Sequence, residues 1–129
     1  EAFKPFGLLT VPHFTDRHIS SGHLYLLRIP GIGVDRRNEL IVQMAERGIA
    51  TNVHYKPLPM MTAYKNMGFD IADFPNAYHQ YENEITLPLN TKLSDEDVEY
   101  IINNLLEILH EYMENMGRDS YIHDERFYT

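Results

Sequence analysis

The residues best suited to contact a ligand lie together in one short stretch of this sequence, residues 50–59. A predicted strand there runs into a loop that carries His54 and Tyr55 and is stiffened by Pro57 and Pro59. Because proline fixes φ at about −65° and restricts the residue before it, this backbone loses freedom and holds the imidazole and the phenol in place. Two interpretations are open: a loop that presents these groups to a ligand, or prolines that merely end a strand before the next helix.

Other motifs in the sequence complete neither a catalytic site nor a metal site. The seven histidines include no pair four residues apart on one helix beside a carboxylate, which is a common metal-binding pattern. His79 and Glu82 share a predicted helix face, where a surface hydrogen bond is favoured over a ligand role. The sequence also contains no cysteine nucleophile, no Gly-x-Ser-x-Gly and no phosphate-binding glycine loop. Motifs alone therefore predict no metal site and no complete enzyme.

Composition limits the partners and the compartment. The chain has 129 residues, enough for one domain with a real core, and a formal net charge of −8. This charge disfavours nucleic acid and membrane as partners, because phosphate contacts need clustered Lys and Arg. Without cysteine, an apolar run of about 18 residues or a recognisable leader, we expect a cytoplasmic protein. The chain begins at Glu1 rather than methionine, so we also expect that its true N-terminus lies upstream.

The loop follows a predicted strand, helix and strand. Residues 23–29 are aromatic and aliphatic between turn residues, which is typical of a strand. A helix follows, with Asp35 as its N-cap and Gly48 as its C-cap. Residues 49–55 form the second predicted strand, so the candidate loop begins at a strand end.

Three helices and one strand are predicted after the loop. Residues 60–67 and 75–83 are predicted as short helices, the second opened by Pro75, and residues 85–89 as the third strand. Ser94 and Asp97 form a capping box before a long helix with apolar residues at helical spacing. The acidic residues of this helix are expected on a solvated outer face; they are Asp95, Glu96, Asp97, Glu99, Glu107, Glu111 and Glu114.

This order of elements predicts a small α+β fold, a short three-stranded sheet with helices packed on one face. We divide the chain into an irregular arm with at most a short strand (1–21), a compact domain (22–116) and a loosely held tail (117–129).

Five separate blocks between residues 22 and 109 carry a resemblance to a known family; they are residues 23–28, 36–40, 48–58, 74–77 and 86–89. In the same order, they closely resemble the C-terminal part of the DegT/DnrJ/EryC1/StrS family. These are pyridoxal-phosphate-dependent sugar aminotransferases of the aspartate-aminotransferase fold (fold type I). The resemblance implies that the compact domain is the small C-terminal domain of that fold.

The family resemblance also implies the activity of a complete protein. Such a protein is a homodimer that transfers an amino group from glutamate to a nucleotide-linked keto-sugar, in polysaccharide or deoxysugar biosynthesis. A large domain holds pyridoxal phosphate on a lysine, and the cofactor acts as the electron sink. The lysines of this chain do not match that context, so we expect no cofactor and no activity for the chain alone; they are Lys4, Lys56, Lys65 and Lys92.

The resemblance assigns substrate binding to His54 and Tyr55, with Asn52 as a polar neighbour, and assigns no catalytic, cofactor-binding or metal residue to this chain. These side chains would position the nucleotide sugar and wall off the cleft. His23 and Arg28 lie in another matching block, where a structural role is favoured. The alternative function is a stand-alone α+β binding or interaction module that kept the fold and lost catalysis.

Overall fold

The computed structural model describes residues 2–116, which form a three-stranded antiparallel sheet and four α-helices. The predicted α+β class is thereby confirmed, whereas the predicted tail, residues 117–129, lies outside the described residues. The strands are β1 (Leu9–Thr10), β2 (Tyr25–Arg28) and β3 (Glu84–Leu87). The helices are α1 (Val34–Glu46), α2 (Thr62–Asn66), α3 (Pro75–Glu82) and α4 (Asp95–Met116), and single 3-10 turns lie at Lys4–Phe6, Leu58–Met60 and Ile71–Asp73.

Strand β2 lies in the middle of the sheet, between β1 and β3. Leu27 of β2 is opposite Thr10 on one side and Ile85 on the other. Strand β1 comes from the predicted arm, residues 1–21, which also contributes Phe3 and Leu8 to the core. The arm is therefore attached to the sheet, and the division of the chain at residues 21 and 116 stays a prediction.

The predicted strand over residues 49–55 is wrong. This segment pairs with the outer edge of β3 at a single position, an antiparallel bridge between Asn52 and Thr86. Two residues later the backbone N–H of His54 donates to the side chain of Glu84 instead of to a neighbouring strand. The Glu84 side chain accepts from the N–H of His54, and Pro57 has no backbone N–H to donate. The strand ladder therefore does not continue into the loop.

One face of the sheet forms the core with α1 and α4. Leu27 and Ile85 lie opposite each other, and both are fully buried. Leu40 and Met44, four residues apart on one side of α1, and Leu105 of α4 belong to the same buried cluster. Each such side chain contributes about 1.5–3 kcal/mol through the hydrophobic effect.

Helix α1 begins before the predicted cap and ends as predicted. Its N-cap residue is Gly33, so Asp35 is wrong as the cap and lies within the first turn, where its charge favours the helix dipole. Gly48 follows the helix with φ of 76°, and the N–H of Ile49 donates to the carbonyl of Met44 at 2.9 Å. This is the Schellman arrangement, for which glycine has the least steric cost.

Two arginines satisfy carbonyl groups at the C-terminal end of α3. The guanidinium of Arg37, which is 1% exposed, donates to the carbonyls of Tyr81 at 2.8 Å and Glu84 at 3.1 Å. Arg28 donates to the carbonyl of His79 at 3.0 Å, in agreement with the structural role predicted for it. Cations are favourable at this end of a helix, because the last carbonyls lack partners within it.

The short helices after the loop differ in how well their predicted bounds hold. Helix α2 is shorter than the predicted helix over residues 60–67, because the 3-10 turn Leu58–Met60 and the extended residue Met61 precede it. Helix α3 begins at Pro75 as predicted, where the missing N–H of proline has no cost.

The capping box predicted for α4 is confirmed. The N–H of Asp97 donates to the hydroxyl of Ser94 at 3.1 Å, and the N–H of Ser94 donates to the carboxylate of Asp97 at 2.9 Å. The backbone donor and then the hydroxyl of Ser94 hold the pKa of Asp97 below its ordinary value. Among the acidic residues of α4, Glu107 has a cationic partner outside the helix, the guanidinium of Arg47 at 2.8 Å.

Candidate functional site

The candidate loop is attached to the sheet by its backbone at Asn52. The N–H of Asn52 donates to the carbonyl of Thr86 at 3.2 Å, and the N–H of Thr86 donates back at 2.8 Å. The Asn52 side-chain oxygen accepts from the N–H of Val53 at 2.8 Å. These bonds place the beginning of the loop beside the outer edge of β3.

Two polar side chains of β3 hold His54. Because successive residues of a strand point to opposite faces, Glu84 and Thr86 share the face opposite Ile85. The Glu84 carboxylate, 1% exposed, accepts from the N–H of His54 at 3.0 Å and from the Thr86 hydroxyl at 2.6 Å. The Thr86 hydroxyl is also 2.9 Å from Nδ1 of His54. A buried carboxylate with a donor on each oxygen anchors both the backbone and the ring of His54.

A groove of about 260 Å³ lies beside this network, and both Asn52 and His54 line it. Thr86 also lines it, so the anchored face of β3 is continuous with the groove. The other lining residues are His23, Leu24, Ala50, Thr51, Leu87, Pro88 and Leu89. Polar groups that converge on a mostly apolar groove are the usual arrangement of a small-molecule site.

Tyr55 lies outside the groove. Its side chain is 69% exposed, and its ring meets the His54 ring edge-on, with 4.7 Å between the ring centroids. The peptide bond between these two residues is cis. The structure therefore brings together two of the three predicted site residues, Asn52 and His54, and leaves the phenol of Tyr55 on the outside of the loop.

The sequence interpretation missed Glu84 and Thr86, which position His54. A signal was present, because two polar residues at a spacing of two in an otherwise apolar strand lie on the same face. What that face meets depends on residues more than 25 positions away, which strand periodicity does not reveal.

His79 and Glu82, the other polar pair considered from the sequence, form a surface contact. Nδ1 of His79 donates to the carboxylate of Glu82 at 2.7 Å, which is the predicted surface hydrogen bond. Within residues 2–116, no group of three or more His, Cys, Asp or Glu side chains has an arrangement that could hold a metal ion. No helix in this part of the chain is long and apolar enough to span a bilayer.

Solved structures with the same fold are pyridoxal-phosphate aminotransferases of fold type I. Spr1654 from Streptococcus pneumoniae, described as a sugar aminotransferase and solved in forms with pyridoxal phosphate and pyridoxamine phosphate, is 49% identical with a TM-score of 0.82. The match covers 85% of this chain and 28% of that protein. The fold class predicted from the family resemblance is confirmed, including the small-domain character of the sheet and its helices.

The sequence model of the DegT/DnrJ/EryC1/StrS aminotransferase family matches residues 1–106, and the chain belongs to this family. The spore coat polysaccharide biosynthesis protein SpsC of Bacillus subtilis is 33% identical over 111 residues, which are 84% of this chain and 28% of SpsC. A UDP-4-amino-4,6-dideoxy-N-acetyl-beta-L-altrosamine transaminase of Helicobacter pylori is 31% identical over 101 residues, 74% of this chain and 27% of that enzyme. The chain thus spans less than a third of the length of these relatives.

The groups present do not fit the cofactor of this family. A lysine that binds pyridoxal phosphate covalently must face a pocket, whereas all four lysines of this chain are exposed and none lines the groove. The histidine, amide and threonine groups at the groove can bind and orient a polar ligand, and they supply no electron sink. We therefore derive no catalytic step through pyridoxal phosphate from these residues.

Proposed function

We propose that this chain is the small C-terminal domain of a pyridoxal-phosphate-dependent sugar aminotransferase. The complete enzyme would transfer an amino group from glutamate to a nucleotide-linked keto-sugar in the cytoplasm, and the chain alone would be inactive. Family membership supports this reaction, as do the names of the relatives, which include a transaminase of a nucleotide-linked amino sugar and a polysaccharide biosynthesis protein. The complete enzyme would be a homodimer.

The observation that carries the proposal is the groove beside His54. His54 and Asn52 line it, and the Glu84 and Thr86 side chains anchor His54 against the sheet. An imidazole held in this way can hydrogen bond a substrate without first losing conformational freedom. Tyr55, on the outside of the loop, would shield the cleft from solvent. In this role His54 and Asn52 position the substrate and Tyr55 only shields the cleft, while the cofactor and the proton-transferring lysine would belong to the larger domain.

A chimeric enzyme tests the proposal. Residues 2–116 would replace the corresponding segment of Spr1654, which matches 85% of this chain at 49% identity with a TM-score of 0.82. We expect the chimera to keep its cofactor spectrum and to transaminate a nucleotide-linked keto-sugar with glutamate as donor. A folded, cofactor-loaded chimera without transaminase activity on any keto-sugar nucleotide accepted by the parent would contradict the proposal.

Substitution of His54 then tests its role within that chimera. His54→Ala removes one substrate hydrogen bond, so we expect kcat/KM for the sugar substrate to fall roughly tenfold with an unchanged cofactor spectrum. His79→Ala is the matched control, because the ring of His79 is exposed and contacts Glu82, away from the groove. Equal kinetics for the His54 variant and the control would remove His54 from the proposed site.

The chain alone distinguishes this function from a stand-alone binding module. Calorimetric titration with pyridoxal phosphate and with UDP-sugars should show no tight binding, because a complete cleft needs the larger domain. Stoichiometric, submicromolar binding of a small ligand to the chain in the absence of cofactor would favour the module instead.

A further inference from the structure

The side chains of Glu84, Thr86 and His54 are joined by hydrogen bonds whose direction can be assigned. The Thr86 hydroxyl has one proton, and it donates that proton to Oε1 of Glu84 at 2.6 Å. The second carboxylate oxygen, Oε2, accepts from the N–H of His54 at 3.0 Å. Glu84 thus acts as an acceptor at both oxygens, which is the role of an ionised carboxylate.

The direction of these bonds determines what His54 can do. Because the Thr86 proton is committed to Glu84, the Thr86 oxygen meets Nδ1 of His54, 2.9 Å away, as an acceptor. In a neutral imidazole one nitrogen carries the proton and the other accepts. Nδ1 must therefore carry the proton, and Nε2 must be the acceptor.

We infer that Glu84 and Thr86 are positioning residues that keep His54 in its Nδ1–H tautomer. No residue in the described part of the chain forms a hydrogen bond with Nε2 of His54, which leaves this nitrogen available to a ligand in the groove. Backbone bonds at Asn52 and the edge-on ring of Tyr55 further restrict the ring of His54.

The tautomer selects the ligand group that His54 binds. An unprotonated Nε2 accepts a hydrogen bond, so it matches a sugar hydroxyl or an amine. A phosphate oxygen is an acceptor and does not match a neutral His54. This last step rests on the proposed function, because it assumes that the groove binds a sugar; the tautomer itself does not.

Nitrogen NMR of the full chain tests the inference without any substrate. In a ¹⁵N-labelled sample at a pH where the rings are neutral, long-range proton–nitrogen correlations identify which nitrogen of each histidine is protonated. We expect His54 to show a protonated Nδ1. His54 with a protonated Nε2 in the unsubstituted protein would overturn the inference, because it would mean that Thr86 donates to the ring.

Two substitutions at position 86 test whether the hydroxyl of Thr86 is the group that sets the tautomer of His54. Thr86→Val removes the acceptor of the Nδ1 proton while keeping a branched side chain, so we expect His54 to shift largely toward the Nε2–H form. Thr86→Ser keeps the hydroxyl, so His54 should stay in the Nδ1–H form. Thr10→Val, at an exposed position of β1, is the control and should leave His54 unchanged.

The outcomes separate this inference from the proposed function. An unchanged His54 tautomer in folded Thr86→Val would overturn the positioning role, even if the chimera were an active transaminase. An inactive chimera would contradict the proposed function and leave the tautomer measured in the chain unaffected. If Thr86→Val fails to fold, the unsubstituted chain and Thr86→Ser still test the inference, because His54 must show a protonated Nδ1 in both.

Discussion

The two faces of strand β3 are buried to a similar degree but held by different forces. Ile85 and Leu87 on one face are 0% and 6% exposed and pack into the apolar cluster with α1 and α4. Glu84 and Thr86 on the other face are 1% and 6% exposed and hydrogen bond the candidate loop. Apolar packing is proportional to area and has little directionality, whereas a hydrogen bond requires a particular donor and acceptor.

Within four consecutive residues, one face of β3 therefore stabilises the domain and the other positions the candidate loop. A change on the apolar face should lower the stability of the whole domain and leave the ring of His54 in place. A change on the polar face should cost less stability and alter the loop at the groove. Substitutions on each face therefore test whether the division is real.

The largest effect is expected on the apolar face, for Ile85→Ala. Removing this fully buried side chain loses transfer free energy and leaves a cavity, so the free energy of unfolding should fall by about 2–5 kcal/mol. Denaturant unfolding measures this loss. NMR of the folded population should still show His54 in the tautomer that it has in the unsubstituted protein. Val42→Ala, at an exposed site of α1, is the control. A change of the His54 tautomer in Ile85→Ala would mean that the two faces are coupled.

A somewhat smaller loss is expected for Arg37→Met. Arg37 of α1 donates to the carbonyls of Tyr81 and Glu84, so it holds the backbone of Glu84. The side-chain carboxylate of Glu84 in turn holds the candidate loop. Methionine fills much of the volume and leaves both carbonyls without this donor, which should cost about 2–3 kcal/mol in denaturant unfolding. Arg17→Met, at an exposed position between β1 and β2, should change little. Equal stability of the two variants would show that water replaces the guanidinium at no cost.

Glu84→Gln tests the polar face directly. The amide group offers one acceptor oxygen where the carboxylate offers two, so either the His54 N–H or the Thr86 hydroxyl faces an NH₂ group. We expect a loss of about 1–2 kcal/mol and, more tellingly, faster hydrogen exchange of the His54 amide than in the unsubstituted protein. Glu82→Gln is the control, since Glu82 contacts the exposed His79. Unchanged exchange at His54 would show that the carboxylate does not anchor the loop.

Local sequence signals predicted the parts of the fold that depend on near neighbours. The Ser94 and Asp97 capping box, Pro75 at the start of α3 and Gly48 at the end of α1 each satisfy backbone groups within a few residues. Such signals can be read from spacing alone. The prediction of Asp35 as the N-cap was wrong because Gly33, two residues earlier, already has the extended conformation of an N-cap.

The parts that sequence patterns did not predict depend on distant partners. Residues 49–55 have strand composition, yet the Glu84 carboxylate, 30 positions away from His54, takes the donor that a strand would need. This bond holds His54, and the backbone bonds between Asn52 and Thr86 hold Asn52, so both residues lie at the groove. The family resemblance drew attention to this loop, whose role in substrate binding stays a prediction, and the structure adds the two β3 residues that hold it.

A smaller effect, far from both faces of β3, is expected for Ser94→Ala at the start of α4. Losing the hydroxyl that accepts from the N–H of Asp97 should cost about 1 kcal/mol at neutral pH. The pKa of Asp97 should rise in this variant but stay below its ordinary value of 3.8, because the backbone donor of Ser94, the larger cause, remains. Carboxyl NMR titration measures this pKa, and Ser21→Ala is the exposed control. An unchanged pKa of Asp97 would show that the hydroxyl does not contribute.

The pH dependence of this cap follows from the sign of the shift. A carboxyl group whose pKa is lower in the folded state adds stability above its unfolded pKa and loses it as the pH falls through the folded value. The contribution of Asp97 should therefore be constant at neutral pH and disappear in acid below the ordinary pKa of 3.8. Unfolding of Asp97→Asn and the unsubstituted chain should thus converge in acid, and a difference that persisted there would assign the effect to packing.

The smallest effect is expected for Glu107→Gln, which removes the charge that Arg47 meets between α1 and α4. The two groups are 2.8 Å apart, but the carboxylate side chain is 61% exposed, so water and salt screen most of the attraction. Arg47 also donates to Asn104, and that bond remains in the variant. Denaturant unfolding should show a loss below about 1 kcal/mol that shrinks further in high salt. Glu111→Gln, one turn later on an exposed part of the same helix, is the matched control. A salt-insensitive loss as large as that of Glu84→Gln would mean that this surface pair, and not burial alone, holds α4 against α1.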